Sequence, residues 1–285
     1  MSAPIRTRIA PTPSGYLHMG NAFNFLLTEA IARRGGGTIR LRIDDLDAPR
    51  VRDAYIADLF ESLGWLGIKW EEGPADAAEQ AALFTQRLRM QDYNGMLQAL
   101  RDTGLVFACN CSRKALQQSS PDGQYSGACL DKGLPLDSSD LAWRIRTPAE
   151  EVVMFNDALL GRQEHRLWTA QRHFIIRRRD GLPAYQVASL SDDARFGINT
   201  IVRGEDLLSS TIAQLYLAGL LGLERFTGAV FYHHPLLRDA QGEKLSKSAG
   251  STSLRALRNS KMRAEDLRAL AKAWYEPLLQ GSHAG

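Results

Sequence analysis

Two short segments, one near each end of the chain, carry side chains that could handle a nucleoside triphosphate. The first runs Pro-Thr-Pro-Ser-Gly-Tyr-Leu-His-Met-Gly-Asn over residues 11–21 and contains His18 and Asn21. Its prolines extend the backbone after a strand, and the segment then enters a helix whose N–H groups and dipole favour phosphate. His18 can donate to a phosphate oxygen as charge develops at the α-phosphorus. Gly20 lets the adenine or the ribose approach the backbone closely.

The second segment reads Lys-Leu-Ser-Lys-Ser over residues 244–248. Lys244 and Lys247 stand in a stretch rich in serine and glycine, which predicts a mobile loop. Ammonium groups on such a loop could close over a triphosphate and stabilise the pyrophosphate leaving group. A solvated lysine loop without a function is the alternative for this string taken alone. The pairing with the first segment favours the nucleotide site.

All three cysteines of the chain lie between Cys109 and Cys129, as Cys-x-Cys followed by a third cysteine. An odd number of cysteines does not fit a secreted disulfide framework. Three thiolates form a soft site that suits tetrahedral Zn²⁺. The segment 108–136 is rich in Gly, Ser and Pro and lacks the apolar residues to fold unaided, so zinc is favoured over three buried free thiols.

The hydrophobic pattern predicts the elements that must hold these residues in place. Near the N terminus the order is strand, helix, strand, helix, which indicates a parallel sheet with crossover helices. We therefore predict an α/β fold with a doubly wound parallel sheet. The predicted strands are 5–10, 38–43, 142–153, 173–179, 201–203 and 231–237, and the predicted helices are 17–34, 55–63, 86–102, 209–221 and one or two within 254–279.

This pattern divides the chain into four units. Residues 1–105 and 141–250 form the two halves of a nucleotide-binding catalytic domain. A zinc-binding insert at 106–140 separates these halves, and a short helical tail occupies 251–285.

Composition excludes several classes of protein. The net charge is +3, with 44% hydrophobic and 24% charged residues, which is ordinary for a globular protein. No apolar run is long enough to cross a membrane and the N terminus has no hydrophobic signal region, so we expect a cytoplasmic protein. The chain lacks a Gly-x-Ser-x-Gly elbow, and Gly35–Gly37 precedes a strand, which excludes a P-loop or a dinucleotide fingerprint there. His233 and His234 are successive strand residues on opposite faces, so at most one could serve a given site.

The motifs resemble those of the glutamyl-tRNA synthetase family of class I aminoacyl-tRNA synthetases. The segment 8–15 is similar to the opening of these enzymes, 41–47 to their second-strand motif, and 64–70 to the segment that follows. The segment that contains His18 resembles the family's HIGH element, and the segment that contains Lys244 and Lys247 resembles its KMSKS element. The short length and the cysteine cluster resemble the truncated branch of the family, which lacks an anticodon-binding domain. The resemblance covers about residues 5–250.

This resemblance implies ATP-dependent activation of L-glutamate to glutamyl-adenylate, followed by transfer to the queuosine of tRNA(Asp). Mg²⁺ would accompany ATP, and the protein would be a monomer with no membrane partner. The implied catalytic residues are His18, Asn21, Lys244 and Lys247, and the implied ATP-binding residues are His18, Gly20, Asn21 and Lys247.

The resemblance also implies a glutamate pocket and a fourth zinc ligand. The implied glutamate-binding residues are Arg8, Ala10, Thr12, Asp44, Tyr185 and Arg203, and the implied zinc ligands are Cys109, Cys111, Tyr125 and Cys129. This chain departs from the family at Asp44, where the family usually has glutamate, and the acid is shorter by one methylene. Without the resemblance, Arg203 would be a strand-end arginine paired with Glu205 or Asp206.

Two alternatives stay open at the level of sequence. The chain could be a truncated glutamyl- or glutaminyl-tRNA synthetase, or a glutamate ligase, with another acceptor. It could also be a catalytically silent relative that binds tRNA or ATP. The sequence does not fix the acceptor, because acceptor recognition depends on surface shape and charge.

Overall fold

The computed structural model describes residues 3–112, 114–116, 124–237 and 253–281. The strands in these ranges are β1 Arg6–Ile9, β2 Thr38–Leu41, β3 Val106–Cys109, β4 Ala142–Ile145, β5 Val152–Asp157, β6 Gly161–Arg166, β7 Ile175–Arg177, β8 Thr200–Gly204 and β9 Val230–His234. The longer helices are α1 Met19–Arg34, α2 Asp53–Leu66, α3 Met90–Asp102, α4 Tyr185–Arg195, α5 Leu208–Leu220, α6 Leu254–Asn259 and α7 Ala264–Gly281. Shorter helical turns occur at Ala48–Arg50, Ala77–Glu79, Gln80–Phe84, Gln86–Arg89, Leu167–Ala170, Glu205–Leu207 and Glu224–Thr227.

Parallel strands form the centre of the molecule. β1 pairs with β2 in parallel, and β8 pairs with β9 in parallel, with β5 adding to β9 at Asp157 and Phe231. β1 lies beside β8, where the N–H of Asn199 donates to the carbonyl oxygen of Arg6 at 3.0 Å. The β2–β1 pair thus lies beside β8 of a four-stranded sheet with the order β8, β9, β5, β6, in which β6 is antiparallel to β5 at the edge. This arrangement confirms the predicted α/β fold with parallel strands.

A second, antiparallel sheet of β3, β4 and β7 carries the first cysteine at its end. The predicted single strand 142–153 is wrong, since β4 and β5 belong to different sheets. Pro148 falls between them, and a proline has no N–H to donate to a strand partner. The boundaries predicted for the four units stay predictions.

The N terminus of α1 is set by a local capping arrangement. The ring Nδ1 of His18 accepts from the N–H of Gly20 at 3.1 Å, and Asn21 Oδ1 accepts from the N–H of His18 at 3.0 Å. These two bonds use N–H groups that the first helical turn cannot satisfy by itself. The His18 side chain is thereby held at the first turn of α1.

Two hydrophobic cores lie on the two halves of the sheet. One joins β1 and β2 to α1, α2 and α7, and the other joins α3, α4 and α5 to β4, β8 and β9. The predicted segment 254–279 is two helices, α6 and α7, and Lys261 takes a φ of 63° between them. Trp274 of α7 packs against Phe23 of α1, with ring centroids 5.4 Å apart. In the part of the chain that the structure describes, no helix has the length and apolarity to cross a membrane.

Candidate active site

A cavity of about 440 Å³ opens at the carboxyl ends of β1 and β8, beside the first turn of α1. Ligands of open α/β sheets commonly bind in this position, where the connections that follow two neighbouring strands run in opposite directions. Most of the predicted substrate-binding residues line it: Arg8, Ala10, Thr12, His18, Gly20, Asn21, Tyr185 and Arg203. Tertiary folding thus brings together residues that the sequence separates by most of its length.

Arg203 is the most deeply buried cation of the cavity wall, at 3% exposure. Its Nη1 donates to Thr211 Oγ1 at 3.1 Å and to Gln214 Oε1 at 2.9 Å, rather than to Glu205 or Asp206. Its Nε and Nη2 are buried and have no hydrogen-bond partner among the described residues. Burial lowers the pKa of this guanidinium. A guanidinium edge with two unused donors matches the two oxygens of a carboxylate.

Arg8, the second buried arginine of the wall, is held by Asp193 of α4. Its Nε lies 3.2 and 3.3 Å from the two carboxylate oxygens of Asp193. Burial acts to raise the pKa of Asp193, but the charges of Arg8 and Arg42 outweigh it and lower that pKa. Asp193 therefore stays ionised and fixes both arginines. The sequence analysis missed Asp193, because nothing in its local pattern marks a partner about 185 positions away.

Asp44 is the one predicted glutamate-binding residue that does not line the cavity. Its carboxylate pairs with Arg42, with Nε to Oδ1 at 2.7 Å and Nη2 to Oδ2 at 3.2 Å. Its backbone N–H donates to the carbonyl oxygen of Pro11, which does line the cavity. Burial raises the pKa of Asp44, and Arg42 opposes that rise. The short side chain is thus engaged by its neighbour on the same strand end, and its contact with a substrate ammonium stays a prediction.

His18 presents a defined ring edge to the cavity. Because Nδ1 accepts from Gly20 N–H, the hydrogen of the neutral ring is assigned to Nε2. A donor at Nε2 is what the predicted contact with phosphate requires. Tyr185, at the first turn of α4, is 40% exposed and adds a phenol to the cavity lining.

The described residues that flank the lysine segment lie at or next to the cavity. Leu237 lines it, and Ser253 forms an antiparallel bridge with His18. Lys244 and Lys247 themselves lie outside the described residues.

His233 and His234 point to opposite faces of β9, as predicted. His234 Nε2 lies 2.8 Å from Asn24 Nδ2 of α1, and both residues line the cavity. His233 turns toward α5 and bonds Asp157 through Nδ1 at 2.6 Å. The sequence analysis missed Asn24, which a position one turn beyond Asn21 on the same helix face could have indicated.

The cysteine cluster forms a second candidate site, and none of its residues lines the cavity. The Sγ atoms of Cys109, Cys111 and Cys129 all lie within 4.8 Å of one another. Tyr125 Oη lies 3.5 Å from Cys109 Sγ and 3.9 Å from Cys111 Sγ. Three sulfurs and one phenol oxygen therefore converge, which fits the donor set of one soft tetrahedral cation.

The acidities of these thiols differ. Burial raises the pKa of Cys111 to about 11. Burial also acts against ionisation of Cys129, but hydrogen bonds from Tyr125 and from the Asn110 backbone outweigh it and lower that pKa to about 6. One thiolate at neutral pH provides an anionic donor to which a cation can bind first.

Comparison with known proteins agrees with this geometry. The sequence model of the family described as tRNA synthetases class I (E and Q), catalytic domain, matches residues 4–271. The glutamyl-Q tRNA(Asp) synthetase of Nitratidesulfovibrio vulgaris is 38% identical over 278 residues, which cover 92% of this chain and 84% of the relative. The enzyme of the same name from Dechloromonas aromatica is 37% identical and covers 100% of this chain and 92% of the relative.

Solved structures show the same fold. The crystal structure of glutamate-tRNA synthetase from Elizabethkingia anophelis superimposes with a TM-score of 0.72 at 22% identity. The match covers 90% of this chain and 54% of that chain, so this chain spans about half the length of the solved synthetase. The chain belongs to the class I tRNA synthetases of the E and Q type, the family that its sequence motifs indicate.

Proposed function

We propose that this chain activates L-glutamate with ATP and transfers the glutamyl group to the queuosine of tRNA(Asp). The observation that carries the first half is the buried, partly unpartnered guanidinium of Arg203 in the cavity wall. The second half is supported by relatives named glutamyl-Q tRNA(Asp) synthetase, which this chain matches over most of their length.

The side-chain carboxylate of glutamate binds the Nε and Nη2 edge of Arg203 in this proposal. A buried cation with unused donors is costly, and a carboxylate supplies both the missing charge and the missing acceptors. Tyr185 adds a hydroxyl to the same cavity, which Arg8, Ala10 and Thr12 also line. Asp44, whose backbone N–H donates to the cavity-lining Pro11, is the proposed partner of the α-ammonium.

The chemical step is attack of the glutamate α-carboxylate oxygen on the α-phosphorus of ATP. A new C–O–P linkage forms, the bond from the α-phosphorus to the bridging oxygen breaks, and pyrophosphate leaves with the electron pair. His18 donates from Nε2 to an α-phosphate oxygen as its charge grows, and the N-terminal N–H groups of α1 act in the same direction. We assign Asn21 and Gly20 to nucleotide binding, and Lys244 and Lys247 to the leaving pyrophosphate. Mg²⁺ bound with ATP would supply further neutralisation of the phosphate charge.

We also propose that Cys109, Cys111, Tyr125 and Cys129 hold a structural Zn²⁺. The support is the convergence of the four donor atoms. The ion would fix the turn that contains Tyr125 and Cys129 to the end of β3, so it contributes to folding rather than to the chemistry.

One experiment tests the acceptor. The protein is incubated with ATP, labelled glutamate and bulk tRNA from cells with or without queuosine. The labelled tRNA is then cut so that the anticodon stem separates from the acceptor arm. We expect label on the anticodon fragment, and only with queuosine-containing tRNA. Label at the 3′ end would instead identify a truncated tRNA synthetase, and adenylate without labelled tRNA would indicate another acceptor.

A further inference from the structure

A chain of buried polar side chains runs behind Arg203, on the side of the sheet that faces α5. Its members are Asp157 at the end of β5, His233 on β9, Thr211 and Gln214 on α5, and Arg203 on β8. None of them is more than 3% exposed. β8 and β9 pair with Arg203 opposite His233, which places these two side chains on one face of the sheet.

Asp157 determines which ring nitrogen of His233 carries the hydrogen. Its Oδ1 accepts from the backbone N–H groups of Leu159 and Leu160, each at 2.9 Å, and its Oδ2 faces His233 Nδ1 at 2.6 Å. A carboxylate can only accept, so Nδ1 is the donor and Nε2 of the neutral ring is an acceptor. Nε2 lies 2.8 Å from Thr211 Oγ1, and the hydroxyl donates over this shorter contact rather than to the carbonyl oxygen of Leu207 at 3.3 Å.

Thr211 and Gln214 in turn determine the plane of the Arg203 guanidinium. With its hydrogen on His233, Thr211 Oγ1 accepts from Arg203 Nη1 at 3.1 Å. Gln214 Oε1 accepts the other hydrogen of the same nitrogen at 2.9 Å. Nη1 is thus fully used on the α5 side. The donors that remain, Nε and Nη2, are buried without a hydrogen-bond partner among the described residues, on a side chain that lines the cavity.

We propose that His233, Thr211 and Gln214, with Asp157 behind them, are positioning residues that orient Arg203 for bidentate binding of the glutamate side chain. This inference rests on the proposed function, because it takes a carboxylate as the ligand of Arg203. Arginine loses much rotamer freedom when it is held, and a bidentate contact needs the guanidinium in the plane of the carboxylate. The buried polar side chains behind Arg203 restrict its rotamers and fix its plane before substrate binds, and they do not touch the substrate.

Thr211→Val removes the hydroxyl from this set of hydrogen-bonded side chains with little change of side-chain shape. Thr211→Ser is the matched control that keeps the hydroxyl. We expect Thr211→Val to raise the KM for glutamate by about tenfold to a hundredfold, the effect of losing a hydrogen bond to a charged group. The KM for ATP should stay near the wild-type value, and Thr211→Ser should restore the KM for glutamate. A purely structural role would lower the melting temperature and the active fraction without separating the two constants. If Thr211→Val does not fold, Gln214→Met removes the other acceptor of Nη1, with the same expected separation.

A second comparison links the effect to Arg203. In an Arg203→Ala background, Thr211→Val should raise the KM for glutamate no further, since the guanidinium that it positions is gone. An equal increase in both backgrounds, or an unchanged KM in Thr211→Val and Gln214→Met, overturns the inference. If Arg203→Ala itself spares the KM for glutamate, the proposed glutamate site is wrong and the inference fails with it. If Arg203→Ala raises this KM and the other variants do not, only the positioning role fails.

Discussion

Ser253 pairs with His18 in an antiparallel bridge, and the N–H of Leu254 donates to the carbonyl oxygen of Leu17 at 2.7 Å. The chain therefore returns from the lysine segment directly beside the first turn of α1. Lys247 precedes Ser253 by six residues, a length that spans at most about 22 Å of extended backbone. Leu237, the last described residue before the lysine segment, lines the same cavity as His18.

Lys247→Ala should reduce glutamate-dependent ATP–pyrophosphate exchange by about 100-fold or more, as the loss of a charge contact made in the transition state does. Circular dichroism and the melting temperature should be unchanged. Lys272→Ala, an exposed lysine on α7, is the control and should exchange at the wild-type rate. Wild-type exchange in Lys247→Ala would refute the role of this lysine.

Arg203→Ala should raise the KM for glutamate by about tenfold to a hundredfold, because a charge-assisted contact with a buried carboxylate is lost. The KM for ATP should change little, since His18 and the N terminus of α1 are the proposed binding site for ATP. Arg203→Lys keeps the positive charge but not the paired donors of the guanidinium, so its KM for glutamate should lie between those of wild type and Arg203→Ala. Arg162→Ala, on the exposed edge strand β6, serves as the control. A parallel rise of both constants would mean that Arg203 is structural.

Asp44→Glu should be tolerated or should lower the KM for glutamate, because it restores the longer acid that the family usually has at this position. Asp47→Glu, a partly exposed aspartate beside Arg178, is the matched control for the added methylene. Steady-state kinetics with glutamate and with aspartate distinguish the outcomes. A severe loss with glutamate would indicate that the site around Arg42 is shaped for the shorter acid and for a different amino acid.

Tyr125→Phe and Cys111→Ser should both weaken zinc binding, since each removes one of the four converging donors. Tyr125→Phe is the sharper variant because it keeps the ring that stacks near Phe107 at 6.3 Å. Ser126→Ala, an exposed position in the same turn, is the control. Zinc content is measured by elemental analysis, and melting is followed with and without chelator. Native protein that contains no zinc and melts identically with chelator would contradict the site.

Asp193→Asn should lower the free energy of unfolding at neutral pH by about 3–5 kcal/mol, because it leaves Arg8 and Arg42 buried without their shared anion. The folded state depresses the pKa of Asp193, so this carboxylate stabilises the fold above its unfolded pKa of about 3.9. That stabilisation is lost as the pH falls through the lower folded pKa. The difference from wild type should therefore shrink in acid. Urea titrations at several pH values measure it, with Asp92→Asn, which pairs with Arg195 near the surface, as control.

Local patterns along the chain were sufficient to place His18 and Asn21 at the first turn of a helix, to predict the helix α1 itself, and to group Cys109 with Cys111. Each of these depends on residues within a few positions of one another, where spacing and side-chain type determine geometry. The same locality explains why His233 and His234 could be assigned to opposite faces before any fold was known.

Tertiary structure decided which partners the buried charged residues of the cavity wall have. Asp193 pairs with both Arg8 and Arg42, and α5 supplies the acceptors that orient Arg203. No spacing rule predicts these partners, because buried charges select one another by proximity after distant elements pack. The sequence alone determined the family, the parallel α/β fold and the residues that converge on the cavity. Only long-range packing decided which of their hydrogen-bond donors remain for a substrate, because packing pairs some donors within the protein and leaves others unpaired.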